Sequence, residues 1–370
     1  LSLPTNGTLW GEISLPTINH KFDVLRSGAL IYIPDYTKIG NITLYVAKES
    51  GYLNFLTGAY KIMDTGGNAN RFNGWHYVTF PNATSSWATG AGSVSAGDTI
   101  TACKFRVNPA GGTNGGIVYF DSMYQGKSGR PAILITADDN YDSWYQYGIS
   151  YLNRLNLKCS MAVIGSTIGT VNYMTITDLQ ATYAAGHDLV THGVAALNTY
   201  GTAKLRIEDV ISNQTFLRNN GFTRHNGHLH YVYPNGVYEN SAGDQEILQI
   251  MKMTGMLTGR GVSKPTRIDT DVDVADRVSV YHILGGENTD TPTALKSYID
   301  DCVLNGETGV LMFHKIVTGS AAVNIEYNKT DFEDVINYVY QKKQSGEIDV
   351  LTIPEWYESI NQPSAVGKYL

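Results

Sequence analysis

The sequence predicts an all-β sandwich over residues 1–125 and an α/β domain with a parallel sheet over residues 131–362, joined by a linker at 126–130. Three observations support this division. The chain has 370 residues, more than most single domains contain. Its first third consists of short alternating segments between Gly- and Asn-rich turns, without a helical period. Beyond Arg130, continuous apolar runs alternate with helical patterns, as expected for parallel strands connected by helices.

Five strands are predicted in the first part of the chain from their alternation of apolar and polar residues. They are 29–33, 42–46, 75–80, 99–107 and 116–121. Regular spacing and turn-rich connections favour two antiparallel sheets packed face to face. Trp75 and Trp87 are candidates for stacking on sugar rings, although a tryptophan in a sandwich is more often part of the core.

The second part of the chain alternates strands with helices over more than 200 residues. The predicted strands are 132–136, 159–164, 189–191, 230–233, 278–284, 309–313 and 350–353. The predicted helices are 141–155, 175–185, 204–219, 244–254, 293–304 and 330–343. This order indicates a parallel sheet, open or closed into a barrel, with chemistry at the carboxyl ends of the strands.

Composition narrows the classes of partner and location. Charged residues make up only 16%, against roughly a quarter on average, and Gly (38) and Tyr (25) are abundant. The net charge is −7 without any cluster of Lys or Arg, which argues against nucleic acid and anionic membranes as partners. No apolar run has the length of a membrane span. A neutral polar surface favours an extracellular or cell-surface protein, or alternatively a virion protein such as a phage tail component.

Cysteine usage points to neither disulfides nor a zinc site. Cys103, Cys159 and Cys302 are odd in number and far apart, so we expect buried free thiols.

Acidic and imidazole side chains follow three of the predicted buried strands. Asp138 and Asp139 close the first strand, where two adjacent carboxylates repel unless a cation or proton neutralises one of them. His192 and His314 each end a further strand. Taken singly, these are typical of a solvated loop, a helix N-cap or a surface imidazole. Together at strand ends, they indicate a catalytic cleft.

Two further segments belong to the same set of loops. The turn at residues 233–238, with the sequence Tyr-Pro-Asn-Gly-Val-Tyr, can direct a backbone N–H into the cleft to stabilise an oxyanion. Arg267 lies in another of these loops and by itself would be read as a surface residue.

The order and spacing of these segments resemble those of the polysaccharide deacetylase family, also called NodB-homology or carbohydrate esterase family four. Residues 136–140 are similar to the family's Thr-Phe-Asp-Asp-Gly, and residues 186–192 to its Gly-His-x-x-x-x-His. The turn at 233–238 resembles the poly-N-acetylglucosamine deacetylase branch, and residues 311–314 resemble the closing Leu-x-x-His. The resemblance spans most of 131–360 and implies a distorted (β/α) barrel.

A shorter resemblance concerns the first domain. Its last predicted strand, with the sequence Gly-Ile-Val-Tyr-Phe-Asp-Ser-Met, is similar to the final strand of jelly-roll carbohydrate-binding modules. This implies a jelly-roll-like sandwich that binds carbohydrate.

The family resemblance also implies a role for each site residue. Asp138 would be the general base, His314 the general acid that protonates the departing amine, and Arg267 the cation that orients Asp138. Asp139 and His192 would ligate a divalent metal, with zinc expected first and cobalt, nickel or manganese as alternatives. The remaining implied roles are the backbone N–H of Asn235 as oxyanion donor and substrate binding by Tyr233, Pro234 and Tyr238.

One position departs from the family pattern. The second histidine of the family's His-x-x-x-His is Ala196 here, which leaves two protein ligands where catalytic zinc usually has three. Asn198 and His230 are candidates for a third ligand, as are His225 and His228.

Three functions follow as hypotheses. The first is a metal-dependent hydrolase that removes acetyl groups from a polysaccharide, N-acetyl rather than O-acetyl, with a bacterial cell-surface glycan as substrate. The second is a catalytically inactive glycan-binding relative, for example an adhesion or phage tail module. A homotrimer is expected if the protein is a phage tail component, including one that acts on a host capsule. The third is a metal-free esterase on the same barrel, although the chain has no Gly-x-Ser-x-Gly nucleophile motif.

Overall fold

The chain forms two compact units, Leu1–Ser128 and Gly129–Leu370, with their boundary inside the predicted linker. The structure, a computed structural model, describes residues 10–15, 20–21, 27–61, 73–80, 88–90, 92, 94–95, 98–111, 115–125, 131–238, 246–262, 268–269, 279–281, 284–285, 288–305 and 307–361.

The described part of the first unit is built of antiparallel strands. They are β1 (Gly11–Ser14), β2 (His20–Lys21), β3 (Ser27–Ile33), β4 (Ile39–Ala47), β5 (Phe55–Lys61), β6 (Gly74–Phe80), β7 (Ala88–Thr89), β8 (Thr99–Ile100), β9 (Ala102–Pro109) and β10 (Tyr119–Gln125). One sheet has the order β1-β9-β4-β5-β7 and a second the order β10-β3-β6, while β2 pairs with β8.

A single apolar core joins the two larger sheets of this unit. Along β4, Ile42, Leu44 and Val46 are buried, while the residues between them lie on the opposite face. Ile31 of β3 and Phe105 of β9 belong to the same core. The alternation seen in the sequence therefore marks the inner face of each sheet.

The predicted strands of this unit are mostly confirmed. Those at 29–33, 42–46 and 75–80 lie within β3, β4 and β6. The predicted strand 99–107 is divided at Thr101 into β8 and β9, and the one at 116–121 begins later, at Tyr119. β5 was not predicted because Gly58 and Ala59, weak strand formers, interrupt its pattern. The jelly-roll connectivity stays a prediction, and Trp87 and the side chain of Trp75 lie outside the described residues.

The described part of the second unit contains a ten-stranded, mainly parallel sheet. Its strands are β11 (Ala132–Ala137), β12 (Ser160–Val163), β13 (Asp188–His192), β14 (His230–Val232), β15 (Thr258–Arg260), β16 (Ile268–Asp269), β17 (Ser279–Tyr281), β18 (Leu284–Gly285), β19 (Glu307–Phe313) and β22 (Asp349–Leu351). The order is β16-β19-β11-β12-β13-β14-β15-β17, with β18 beside β19 and β22 beside β11; only β16 runs antiparallel to its neighbour. Two more strands, β20 (Lys315–Val317) and β21 (Glu326–Asn328), form a separate pair.

Within the described ranges of this unit, seven α-helices connect or follow the strands. They are α1 (Ser150–Arg154), α2 (Ile176–Ala184), α3 (Ala203–Asn219), α4 (Glu246–Met253), α5 (Pro292–Asn305), α6 (Lys329–Gln344) and α7 (Ile353–Asn361). The predicted helix 141–155 is a π-helix over Trp144–Ile149 that continues into α1. Helix α2 begins with a capping box, in which Thr175 and Asp178 bond each other's backbone N–H groups. The other predicted helices are confirmed within three residues at each end.

This sheet fits the distorted (β/α) barrel that the sequence predicts. Strand β11 is buried along its whole length, as its continuous apolar run requires. Strands β15, β16, β20 and β21 were not predicted, since strands of two or three residues carry too little pattern to recognise. Helix α7 was not predicted either. The predicted strand 350–353 ends at Leu351, and α7 begins two residues later.

The three cysteines are buried free thiols, as predicted. In the described part of the chain, no helix combines the length and apolar character needed to cross a membrane.

Candidate active site

The predicted site residues converge on one edge of the parallel sheet. Ala137 of β11 pairs with Phe313 of β19, so the residues that follow them, Asp138 and His314, emerge side by side. On neighbouring strands, His192 is in register with Val232, and Val232 with Arg260. The carboxyl ends of four strands thus bring polar side chains to one place, and a fifth strand, β14, lies between two of them.

Asp138 lies at the centre of this edge and is only 2% exposed. Its Oδ1 accepts a hydrogen bond from Nη2 of Arg260, and its Oδ2 lies 4.0 Å from Nε2 of His314. Its backbone N–H donates to the carbonyl of Phe313 at 2.8 Å. The carboxylate is therefore held between a fixed cation and an imidazole that is partly open to solvent.

Arg260 is a site residue that the sequence analysis missed. It is fully buried, and its Nη1 also donates to the carbonyl of Gly261 at 3.2 Å. Within the described part of the chain it is the cation that contacts Asp138, the role predicted for Arg267, which lies outside the described residues. The only sequence signal was a basic residue at the end of the short strand β15.

Asp139 and His192 form a second pair beside the first. Nδ1 of His192 donates to the carbonyl of Val232 at 2.8 Å, which directs Nε2 toward Oδ1 of Asp139 at 3.1 Å. Burial disfavours a charge on either group, but their mutual hydrogen bond and attraction outweigh it. The pKa of Asp139 is therefore lowered and the pKa of His192 is raised.

The backbone after β11 has an unusual conformation that separates the two aspartates. Asp139 and Asn140 both have positive φ, 67° and 46°. Asn140 stands where the family has glycine, and asparagine tolerates this left-handed conformation better than most residues. Asn140 is also buried, and its Oδ1 accepts from the backbone N–H of Ile164 at 2.8 Å. This bond anchors the turn to the residue that follows β12, the strand next to β11, so Asp139 is held in a strained geometry.

The turn after β14 lies beyond the same sheet edge. Asn235 and Gly236 have φ of 54° and 68°, and a Cβ on Gly236 would lie 2.7 Å from the backbone N of Val262. Glycine is therefore required at position 236, because of both the positive φ and the close approach of the Val262 backbone. Tyr233 and Pro234 are buried, whereas Tyr238 is half-buried. Contact of these three residues with substrate stays a prediction, as does the oxyanion role of Asn235.

The candidates for a third ligand do not join Asp139 and His192. His230 begins β14, two residues before the partner of His192, and its Nδ1 bonds Oγ1 of Thr258 at 2.9 Å. Asn198 is exposed on a single turn at Leu197–Thr199 and makes no hydrogen bond to either ligand candidate among the described residues. Over the described ranges, no three His, Cys, Asp or Glu side chains are grouped to hold a metal ion. The role of His230 as a third ligand therefore stays a prediction, and in this structure its ring bonds Thr258 instead.

Asp139 and His192 nevertheless fit a metal as a pair. Their 3.1 Å separation is close to the roughly 3.4 Å expected between two ligands of one tetrahedral zinc ion. In a neutral His192, the hydrogen bond to the Val232 carbonyl keeps the proton on Nδ1. The lone pair of Nε2 is then free to bind a metal, as in many metal sites where a backbone carbonyl orients the histidine. Ala196, at the position of the family's second histidine, is buried in the following turn.

Comparisons with known proteins identify the family of this domain. The model of the polysaccharide deacetylase family matches residues 125–257, less than half of the chain. Solved structures that match part of this chain include a mutant of the peptidoglycan deacetylase PdaC from Bacillus subtilis (14% identity, TM-score 0.40, 65% of this chain and 96% of that one). A family 4 carbohydrate esterase from Streptomyces lividans is another (11% identity, TM-score 0.37, 60% of this chain and 91% of that one).

TM-scores below 0.5 indicate only a loose likeness, so the family follows from the family model and from the motifs placed at the sheet edge. No curated protein matches the chain. Residues 125–257 therefore carry a domain of the polysaccharide deacetylase family, whose members are carbohydrate deacetylases.

Proposed function

We propose that this protein is a metal-dependent hydrolase that removes acetyl groups from a polysaccharide, with N-acetyl groups favoured over O-acetyl groups. The observation that carries this proposal is the pair of contacts around Asp138, which accepts from Arg260 on one oxygen and faces His314 with the other. Deacetylation of an amide needs a base for the attacking water and an acid for the leaving nitrogen, and these two groups lie 4.0 Å apart.

The reaction assigns one proton transfer to each side chain. Asp138 takes a proton from water as its oxygen bonds to the acetyl carbon, and Arg260 keeps the carboxylate in place. His314 gives a proton to the nitrogen as the C–N bond breaks, so the products are acetate and a free amino sugar. The backbone N–H of Asn235 would donate to the oxygen that becomes negative during the attack. A divalent cation, zinc first among the candidates, would be held by Asp139 and His192 and would supply a Lewis acid for the acetyl carbonyl.

Acetate release from acetylated oligosaccharides tests the catalytic proposal. Asp138→Asn should lower kcat by about 10² to 10⁴, because the amide cannot accept the proton. Asp142→Asn is the matched control, since it removes a half-buried carboxylate from the same loop without touching Arg260 or His314. Equal activities of the two variants would exclude Asp138 as the base.

Metal analysis tests the cation separately. Purified wild-type protein loaded with zinc, cobalt, nickel or manganese should retain about one ion per chain, and Asp139→Ala should retain none. If the wild type retains no ion after any loading, the metal-dependent mechanism is excluded.

A second function is favoured by one specific observation. Ala196 is buried where the family has its second histidine, and no third ligand candidate joins the pair among the described residues. A catalytically inactive glycan-binding relative would tolerate this loss. Glycan binding by the intact protein without acetate release from any acetylated polymer would support this alternative.

The first unit offers a surface suited to carbohydrate. On the outer face of its larger sheet, Trp10 is 46% exposed and stacks with Arg106, 4.0 Å from guanidinium carbon to ring centroid. Tyr45 adjoins them, and Glu12 bonds Arg106 from the neighbouring strand. Aromatic rings beside charged hydrogen-bonding groups can bind sugar faces and hydroxyls together. Trp10→Ala in the full chain should weaken binding to the glycan by about tenfold, whereas Leu53→Ala, at another exposed apolar position, should not.

The polymer and the setting follow from the same proposal. A bacterial cell-surface glycan suits a protein with a polar surface of low charge, placed outside the cell or on a phage tail. In a phage tail the protein would be a homotrimer, which analytical ultracentrifugation would distinguish from a monomer.

A further inference from the structure

Three side chains form a cluster beside the candidate active site that the mechanism does not use. Tyr141 follows Asp139 by two residues, and Lys315 directly follows His314. Tyr173 comes from the loop after β12 and pairs with Tyr141 in an isolated antiparallel bridge. Each member is half-buried. The cluster thus lies on the loops that present the base and the acid.

Aromatic contacts connect the three side chains. The rings of Tyr141 and Tyr173 stack with centroids 5.0 Å apart and planes 22° apart. Nζ of Lys315 lies 4.7 Å from the centroid of the Tyr141 ring, within the range of a cation–π contact. The ammonium therefore has a preferred position, although its stem has four rotatable carbons.

Backbone hydrogen bonds hold the supporting loops together. The N–H of Asp142 donates to the carbonyl of Asn172, and the N–H of Met174 to that of Asn140, both at 3.0 Å. On the other side, the N–H of Lys315 donates to the carbonyl of Ile325 at 2.8 Å. The cluster is consequently organised before any ligand arrives, which lowers the entropic cost of binding.

The charge of Lys315 is not neutralised by a carboxylate in the described part of the chain. Other lysines of this unit form ion pairs, for example Lys296 with Asp334, Lys329 with Glu333 and Lys342 with Glu347. Lys296 and Lys342 also contact an aromatic ring, that of Tyr338, but in addition to their carboxylates. Lys315 differs in that it contacts the Tyr141 ring without a carboxylate partner among the described residues, next to a residue of the candidate active site. A half-buried cation without a counter-charge favours an anion in its vicinity.

We propose that Lys315 binds an anionic group of the polymer, a carboxylate or a phosphate, and so selects an acidic acetylated polysaccharide as substrate. This inference rests on the proposed deacetylase function. Tyr141 holds the ammonium, and Tyr173 extends the support to the neighbouring loop. Lys315 does not touch the reacting atoms in this scheme; it determines which chains place an acetyl group between Asp138 and His314.

Kinetics on three oligosaccharides of equal length test the proposal. The neutral probe is an N-acetylglucosamine hexamer, the carboxylate probe a hexasaccharide alternating N-acetylglucosamine with glucuronate, and the phosphate probe an N-acetylglucosamine oligomer with phosphodiester links. The wild type should have a higher kcat/KM on one anionic probe than on the neutral one. Lys315→Gln should reduce that ratio by roughly three- to tenfold through KM, and Lys315→Arg should largely keep it.

Lys204→Gln serves as the matched control, because Lys204 is an exposed lysine of α3 whose side chain is 82% accessible. It should leave the ratio unchanged. If Lys315→Gln lowers kcat/KM equally on neutral and anionic probes, or if the wild type prefers the neutral probe, the proposal is overturned.

Binding measurements keep this test separate from the deacetylase proposal. In an Asp138→Asn background, calorimetry should show tighter binding of the preferred anionic probe than of the neutral probe, and Lys315→Gln should remove the difference. This readout works even if no probe releases acetate, which would refute the catalytic proposal alone. Equal affinities for all three probes would refute the role of Lys315.

Discussion

Asp138 and Asp139 are adjacent carboxylates with different environments. Asp138 is buried against Arg260, while Asp139 turns through a left-handed backbone toward His192. Two like charges side by side repel, and here each has its own cationic or protonatable partner. The division into a base and a metal ligand is therefore a consequence of backbone conformation as well as of residue type.

The Asp138–Arg260 pair makes a stability prediction. Arg260→Met leaves a buried carboxylate without its cation and should lower the free energy of unfolding by about 3–5 kcal/mol, measured by urea denaturation. Arg154→Met breaks an exposed pair with Glu333 and should cost about 0–1 kcal/mol. Adding Asp138→Asn to Arg260→Met should recover part of the loss. Similar costs for the two single variants would contradict the buried-pair interpretation.

His187 makes a pH prediction. It is buried, and its Nδ1 accepts from the backbone N–H of Cys159 at 3.1 Å while its Nε2 bonds Asn153 at 3.0 Å. Burial, followed by the charges of Lys158 and Arg224, lowers the pKa of His187 to about 3 from its ordinary value of 6.5. Between these two pH values the unfolded chain binds a proton that the folded chain excludes. The free energy of unfolding should therefore fall as pH decreases from about 6.5 toward about 3, by up to about 1.4 kcal/mol per pH unit.

His187→Gln tests this, because glutamine can keep both hydrogen bonds but cannot take the proton. Its stability should depend less steeply on pH in the same window, measured by denaturation at a series of pH values. His230, whose pKa burial also lowers to about 3, still contributes in the variant. Parallel curves for wild type and variant would rule out His187 as a source of acid sensitivity.

At the scale of elements, the site depends on strand ends that are in register. The loop after β13 carries His192 and then Gly193, and the backbone N–H of Val194 donates to Asp209 at 3.1 Å. Asp209 belongs to α3, so this helix fixes the loop that positions the histidine. Burial raises the pKa of Asp209, in spite of the hydrogen bonds that it accepts.

Close packing at Gly193 gives the prediction at this scale. A Cβ there would lie 2.2 Å from Oη of Tyr231 and 2.6 Å from Oδ2 of Asp209. Gly193→Ala should therefore shift the loop, destabilise the protein by about 1–3 kcal/mol and weaken metal retention. Gly201→Ala is the matched control, since nothing lies within 4 Å of its Cβ, and it should change stability by less than about 0.5 kcal/mol. A Gly193→Ala protein as stable and as metal-competent as the control would contradict this account of the loop.

At the scale of the whole molecule, the two units have separate cores, and the candidate metal ligands lie only in the second. Zinc at about 100 times its Kd should stabilise that unit by about 2.7 kcal/mol, because the unfolded chain has no preformed site. Calorimetry should show that zinc raises the midpoint temperature of one unfolding transition and that a chelator restores its original value. The midpoint temperature of the first unit should not change. Asp139→Ala should abolish the response. A shift that persists in this variant would place the ion elsewhere.

Local patterns in the sequence predicted most of the second unit. Buried strands such as β11 are continuous apolar runs, and long helices such as α6 have a clear period, so both could be recognised without knowledge of their neighbours. Strand β15 could not be recognised in this way, because the sequence Thr-Gly-Arg has no periodicity. The position of this strand depends on its pairing with β14 and β17. Arg260 was missed for that reason.

The sequence by itself determined the change of pattern near residues 126–130, the match of residues 125–257 to the polysaccharide deacetylase family, and four polar residues that follow strand ends: Asp138, Asp139, His192 and His314. Each of these depends on residue type and spacing along the chain. Only the tertiary structure decided that Arg260 faces Asp138, that His230 and Tyr233 are buried, and that Lys315 rests on Tyr141. These are contacts between residues distant in the chain, set by strand register and packing, and no local pattern encodes them.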